Sequence, residues 1–504
     1  MFYFVNQYLM ALNSGVEHAE FKRLQLFADQ GTPAQLVTRH FDGLLHQNMR
    51  RFNLADTQVV NLFDFFRDSE TIPSRVLKIE DLNWPADYSI KPNPNVSEVY
   101  DGDRLVAKVH FVPSTVGHVY FVEIFDTFGN LVQRTDYDER GFKARDEFFS
   151  PAQEPISDIF YHLDGRRLAE QYYTHNANGA NVVTLCKLIN YQGQDYYFNS
   201  ENDWFCFFLD ALNQANGDNN TFIADRPLAT QWPVINMKTA AKKYLWLPTP
   251  HAVDPADQVY SNLNNAYVYG IHEHLTQLDG LITSTAQQQQ ELSQWLGGQS
   301  PRPIYHISAA VVATKQAQRP QIRLRDRQAH QIIYTGRLDQ GRQVDQLITA
   351  FQQVSQQVPD ATLKIYGYGG ALDALKAQVK QLGLTKQVTF AGYQPDLTTV
   401  YDQAGAYVYT GVSDAQPLSL IEALSHGVPA IATDINYGPS EAIKSGTNGY
   451  LVKPGAIDQL VNALVKTISN PRRQQKLSDG AYRLSTKYSE ANVWQQWQAL
   501  IQAH

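Results

Sequence analysis

Between about residues 86 and 205 the chain breaks into short alternating runs, such as Leu105 to Phe111 and Val119 to Phe125. These are punctuated by Asp101-Gly102, Gly129-Asn130, Arg140-Gly141, Asp164-Gly165 and Asn178-Gly179. A period of two sends successive side chains to opposite faces of a strand, and the Gly in each pair supplies the backbone freedom that a tight turn needs. The segment is predicted to be a chain of hairpins, hence a mostly antiparallel sheet.

The flanking chain has a different texture. Phe2 to Val5 reads as a strand, Val16 to Gln30 as a helix and Gln35 to Thr38 as a strand. From about residue 206 helical and strand patterns alternate again, with Tyr244 to Leu247 and Gly280 to Thr283 as strands. The hairpin segment, 86–205, is therefore expected to be inserted into a first α/β, Rossmann-like domain made of 1–85 and 206–315. After Lys315 a stretch rich in Gln and Arg, up to Gln331, reads as a linker. The alternation from Ile332 onward predicts a second doubly wound domain over 325–485. Residues 486–504 are expected to return to the first domain as a helix, Glu490 to Gln502. The Gln run 287–290 reads as a solvated helix face. A chain of 504 residues fits two or three such domains.

Composition excludes several classes. An apolar fraction of 43% and a charged fraction of 18% describe a globular protein. No apolar run is long enough to span a bilayer, which leaves at most peripheral membrane association. Met1 to Met10 is apolar but has neither the basic flank nor the small-residue cleavage site of a secretory signal, so the protein is expected in the cytoplasm or at the inner face of the cell membrane. Cys186 and Cys206 sit in apolar contexts without metal-type spacing and read as buried thiols. With 42 basic residues against 50 acidic ones, the net charge of −8 argues against nucleic-acid binding. A local basic cleft remains compatible with it.

The chemistry concentrates in the C-terminal half. Ile332-Ile333-Tyr334-Thr335-Gly336-Arg337-Leu338 is a buried strand running into a Gly and an Arg, which puts Arg337 at a strand's carboxyl end, where doubly wound sheets bind ligands. Arg342 lies five residues on, and two guanidinium groups suit a diphosphate. The segment Val408 to Pro429 then reads strand, loop, helix, turn, strand. Asp414 falls in the loop at the helix entrance and Glu422 about a turn or more inside, so both can face one ligand. Between them the backbone of Gln416, Pro417, Leu418 and Ser419 opens the helix, and its amides suit phosphate oxygens. Taken alone, Asp414 is equally a helix cap and Glu422 a solvated residue. In the N-terminal half, Asn13-Ser14-Gly15-Val16-Glu17 follows the first strand, and Gly15 lets a backbone approach a ligand.

In the order Gly336-Arg337-Leu338, Arg342, Ile365-Tyr366-Gly367-Tyr368-Gly369, Phe390-Ala391-Gly392 and Asp414 to Pro429, the chain resembles family-four retaining glycosyltransferases of the GT-B fold, two Rossmann-like domains facing a cleft. The opening Phe4-Val5-Asn6 through Ser14-Gly15-Val16-Glu17-His18-Ala19-Glu20, together with the insert, is similar to the teichoic-acid glucosyltransferase and adhesin O-glycosyltransferase group. The resemblance implies that Arg337 and Arg342 bind the donor diphosphate, with Arg342 standing where Lys is usual. It gives Glu422 the nucleotide ribose and Asp414, one methylene shorter than the usual Glu, the transferred sugar. Ser14, Gly15 and Val16 correspond to the family's first glycine-bearing loop. His251, preceded by Pro248-Thr249-Pro250, stands at the place of the family's His, where it and Asp414 orient the sugar.

The implied reaction moves glucose or N-acetylglucosamine from a UDP-sugar to a cell-surface acceptor, either a wall teichoic acid poly(polyol phosphate) or a Ser/Thr-rich surface protein. No cofactor and no metal are expected, since the C-terminal motifs contain no Asp-x-Asp and no cluster with metal-ligand spacing. A homo-oligomer or a complex with a paralogous subunit is implied. The Asp414, Arg342 and Pro248 departures motivate a competing reading, a catalytically degenerate acceptor-binding subunit of a two-component O-glycosyltransferase. Sucrose- or phosphorylase-like chemistry on the same fold is a third, which would have no use for the insert. Arg134, Lys143, Arg145, Arg166 and Arg167 are candidates for a basic acceptor track, although interleaved acids make a mixed solvated surface the simpler expectation.

Overall fold

The computed structural model describes residues 1–503, which divide into two compact units. The first comprises Met1–Ala11, Pro33–Phe222 and Trp232–Lys242. In it the strands Phe2–Val5, Ala34–Thr38 and Val59–Asn61 pair in parallel. Phe2–Val5 is buried at every position, as a strand covered on both faces must be.

Ten strands, from Ser89–Lys91 to Gln194–Phe198, form an antiparallel sheet in simple sequence order. The glycines of the turn signals, Gly102, Gly129, Gly141, Gly165 and Gly179, all have φ between 60° and 89°, which explains why the turns close where they do. At one end Val99, Ala107, Val109, Val119 and Val122 pack under Leu77, Trp84 and Tyr88. Toward the other end Phe160 lies 4.3 Å from the Phe63 ring, which in turn meets Trp204 edge-on at 5.4 Å. The buried Arg140 pairs with Asp138 at 2.7 Å and Asp64 at 2.8 Å, tying a hairpin turn to the helix Leu62–Arg67. Cys186 and Cys206 are buried thiols.

The five candidate track residues are all engaged with acids. Arg134 bonds Asp136 at 2.8 Å, Lys143 bonds Asp146 at 2.6 Å, and Arg145 bonds Asp136 at 2.7 Å. Arg166 bonds Asp164 and Arg167 bonds Glu170, each at 2.7 Å. The sheet surface is a mixed ionic one rather than a basic stripe.

The second unit holds Leu12–Thr32, Ile223–Gln231 and the described chain from Lys243 onward. Lys242–Leu247, Gly280–Thr283 and Ile304–His306 run parallel to one another. A six-stranded sheet follows in the order Val388–Gly392, Thr362–Tyr366, Gln328–Thr335, Ala404–Tyr409, Ala430–Thr433, Gly449–Val452. All its pairings are parallel. One face is covered by Leu347, Phe351 and Leu464, the other by Leu420, Leu424 and Tyr488. Strand order reverses direction between Gln328–Thr335 and Ala404–Tyr409, which makes the crevice beyond their carboxyl ends the topological switch point.

Two expectations need correction. The stretch read as a linker up to Gln331 already enters the sheet at Gln328, because Arg327 is buried and donates to the carbonyls of Tyr401 at 3.0 Å, Asp402 at 3.2 Å, Ala404 at 3.4 Å and also His426. The Gln run is not a solvated face either. Gln287 donates to Asn436 at 2.9 Å, Gln288 is fully buried and donates to the Thr249 carbonyl at 2.8 Å, and Gln289 reaches the Ile304 carbonyl. Polarity alone predicts exposure, whereas amide side chains can satisfy buried carbonyls.

The helix Glu490–Ile501 packs Trp497 against Phe27 at 5.0 Å and Trp246 at 5.8 Å. Replacing Arg327 with Met strands several buried carbonyls, and we expect a stability loss of about 3 kcal/mol, measured as a lowered urea midpoint.

Candidate functional site

At the switch point the loops that leave two neighbouring strands lie backbone against backbone. Gly336 donates to the Tyr366 carbonyl at 3.0 Å and Leu338 to that of Tyr368 at 2.8 Å. A Cβ on Gly367 would sit 1.8 Å from the Gly336 carbonyl oxygen, so the Gly367 position of the motif is fixed by close approach. This apposition turns Arg337 outward. Its side chain is 55% exposed and meets a loose partner, Asp339 at 3.4 Å.

Arg342 has a different fate. Its guanidinium donates to Asp414 at 2.7 Å and to the Tyr409 hydroxyl at 2.6 Å, and Tyr409 itself donates to the same Asp414 oxygen at 3.0 Å. Burial works against the charge on Arg342, but Asp414 and Tyr409 outweigh it and hold the guanidinium firmly protonated. The sequence pairs Arg342 with Arg337; the structure places it instead in a three-membered network with Asp414 and Tyr409. Asp414 also accepts from the Gln416 amide at 3.3 Å, and the Tyr437 amide donates to its carbonyl at 2.7 Å.

The helix Leu418–Ser425 begins immediately after this network, with Pro417 before it and no side-chain cap. The Leu420 amide donates to the Pro417 carbonyl at 3.1 Å, and no side chain caps the Leu418 and Ser419 amides ahead of it. The Gln416 side chain turns inward, accepting from Ser308 Oγ at 3.1 Å and the Ala310 amide at 2.9 Å. Ser419 Oγ is 2.7 Å from the Tyr407 hydroxyl. Pro417 is packed against Gly438. Among these neighbours the backbone, not the side chains, is what a ligand would meet.

Glu422 is 29% exposed and has both oxygens engaged. Lys22, from the helix Gly15–Asp29, holds Oε1, and the buried Tyr401 hydroxyl donates to Oε2 at 3.2 Å. Burial opposes its charge, yet Lys22 and Tyr401 prevail and keep the carboxyl below its ordinary range. The same helix starts with a capping box: Ser14 and Glu17 bond reciprocally, so the Val16 amide is spent on Ser14 Oγ at 3.3 Å. Arg226 clasps this box, bonding Glu17 at 2.9 Å and Ser14 at 3.1 Å. Gly15 lies beside the other helix start, since a Cβ there would be 3.7 Å from Leu418 Cδ1.

His251 is fully buried, and neither ring nitrogen has a hydrogen-bond partner among the described residues. Its ring lies parallel to that of Tyr437, centroids 6.4 Å apart. Tyr437 is held by Glu291 at 2.7 Å. Burial pushes the imidazole down to about 4, so it is neutral at pH 7.

Arg337, Arg342, Asp414, Glu422 and the Leu418–Ser425 helix start thus gather at the strand ends, with Ser14 and Gly15 opposite Leu418. Sequence reasoning misses Lys22, Tyr401 and Tyr409. Lys22 has a usable signal, because Ser14, His18 and Lys22 recur every four residues and share one helix face. The tyrosines, interior strand and helix residues, have none. Among the described residues no group of three His, Cys, Asp or Glu side chains is set to hold a metal ion.

Two family models match the sequence. One, an accessory Sec system protein family (accessory secretory protein 1), matches residues 5–387, and the other, glycosyl transferases group 1, matches residues 315–484. A Streptococcus gordonii protein named UDP-N-acetylglucosamine–peptide N-acetylglucosaminyltransferase GtfA subunit is 25% identical over 97% of this chain and 96% of its own. The pneumococcal O-GlcNAc transferase GtfA, solved with UDP and GlcNAc, has a TM-score of 0.85 at 20% identity, covering 100% of this chain and 98% of that one. A point mutant of S. aureus TarM, solved with fondaparinux, alpha-GlcNAc-glycerol and UDP, has a TM-score of 0.82 at 19% identity, covering 99% of each chain. The fold is GT-B, with the antiparallel sheet as an addition.

The neutral His251 has a measurable consequence. Its ordinary value is 6.5 and its folded one about 4, so the native state holds this proton less tightly than the unfolded chain. Stability is therefore lost as pH falls from about 6.5 toward 4, by about 2 kcal/mol at pH 5 from this residue. In paired urea titrations at pH 7 and pH 5, His251→Leu is expected to lose correspondingly less than the parent.

Proposed function

The chain belongs to the accessory Sec system protein family matched over residues 5–387, and we propose that it is a retaining glycosyltransferase that moves N-acetylglucosamine or glucose from a UDP-sugar to a cell-surface acceptor. One observation carries the reading: an outward-facing Arg337, the uncapped amino end of Leu418–Ser425 and the Glu422 carboxylate share the switch-point crevice. A cation and helix amides suit a diphosphate, and a carboxylate beside them suits a ribose diol. The group 1 match spans all three features.

In this reading Arg337 and the helix amides stabilise the diphosphate as its bond to the anomeric carbon breaks. The acceptor hydroxyl attacks from the same face and gives its proton to the departing phosphate oxygen. Asp414, fixed by Arg342 and Tyr409, and the neutral His251 orient the sugar, with Ser14 and Gly15 bordering it. Preorganised cations take the role of a divalent ion, so no metal is needed. The S. gordonii relative is named for a peptide acceptor and as a subunit. On that ground a Ser/Thr-rich surface protein is the first acceptor to test, teichoic acid the second, and an oligomer or paralogous partner is part of the proposal. Dependence on a nucleotide sugar points to the cytoplasm or the inner membrane face as the place of reaction.

A second reading has a specific observation behind it. Asp414 and Glu422 are both paired with cations of the chain itself, as they would be in an acceptor-binding subunit that has given up the donor.

Release of UDP from UDP-N-acetylglucosamine and UDP-glucose, with each acceptor present, decides between them. We expect turnover that persists in EDTA and falls about 100-fold in kcat/KM in both Arg337→Ala and Glu422→Gln. Acceptor binding without turnover of either donor establishes the second reading instead.

A further inference from the structure

We propose that Lys22 is the counter-charge that lets an anionic nucleotide sit beside Glu422, a donor-site residue supplied by the first helix. The inference rests on the crevice being a nucleotide-sugar site. A carboxylate about one turn into a helix whose amino end receives a diphosphate places like charges close together, and a neutral ribose between them does not cancel that repulsion. Lys22 does. Its ammonium holds Glu422 Oε1, while Oε2 keeps the Tyr401 hydroxyl.

The pair is an unpromising device for stability alone. Lys22 is 37% exposed and Glu422 29%, and ion pairs in contact with solvent contribute little to folding. The helix face that presents Lys22 is nevertheless held in place. His18 is 3.1 Å from the Tyr393 hydroxyl, and the Tyr368 hydroxyl donates to the Leu12 carbonyl at 3.3 Å. Ser14, His18 and Lys22 lie along one face, so the residues that border the helix start also aim the ammonium at Glu422. An ammonium has three donors, which allows Lys22 to keep Glu422 and also meet a phosphate oxygen.

The test compares UDP with uridine, which shares the ribose but lacks the phosphates, by calorimetry on the full chain. In Lys22→Met we expect UDP affinity to fall about tenfold while uridine changes by less than about twofold, and Lys22→Arg to recover most of the UDP affinity. Equal losses for UDP and uridine would mean that Lys22 merely shapes the site. Tighter UDP binding in Lys22→Met would mean that the ion pair is a latch the donor must break. Either result overturns the counter-charge. Failure of the unaltered protein to bind UDP or uridine removes the nucleotide site itself, and the inference with it.

Discussion

A parallel strand cannot be joined to its neighbour by a tight turn; the chain must cross back over a face of the sheet before it can start again. All six strands of the C-terminal sheet obey this, so every loop that follows a strand emerges at the same end. Arg337, the Gly367 loop and the Asp414 loop share that end for no other reason. The crevice between the Gln328–Thr335 and Ala404–Tyr409 ends then arises from strand order alone, and side chains need only decorate it. The antiparallel insert, closed by local turns, has no equivalent convergence point.

The decoration is a charge arrangement. Arg342 and Asp414 cancel one another in a partly buried network with Tyr409, and Lys22 and Glu422 cancel at the edge of solvent. What is left over is Arg337 and the amino end of a helix, both positive. A cluster that begins with two acids and three bases therefore meets its ligand as a net cation, with the acids retained as hydrogen-bond acceptors at defined positions. Arg342 standing where Lys is usual fits this role, since a planar guanidinium can serve a carboxylate and a phenol at once.

Much of this is legible in the sequence. Alternation and Gly-bearing turns locate the insert, because a left-handed turn residue leaves a local mark. Val119–Phe125 and Gly280–Thr283 are delimited to the residue. The strand-Gly-Arg run and the Asp414 to Pro429 segment point to the site, because they are contiguous. The parts that stay hidden are those made by distance along the chain. Lys22 meets Glu422 across 400 residues, and Arg327 looks like any linker arginine until four carbonyls surround it. A run of glutamines carries no sign of which carbonyls it will satisfy. Sequence patterns report what a residue does with its neighbours, and these residues act on strangers.

The helix Glu490–Ile501 lays Trp497 on Phe27, one helix from the far end of the chain against the helix that carries Ser14, Gly15 and Lys22. During synthesis that contact has to wait. Phe27 and Trp497 are separated by 470 residues (497 − 27), which at an elongation rate of about 5–20 residues per second is on the order of half a minute or more. For that whole interval Phe27 lacks the Trp497 ring that covers it. A ribosome-bound chain therefore leaves Phe27 without this cover next to a future ligand crevice, a condition that invites chaperone engagement until Glu490–Ile501 has been made.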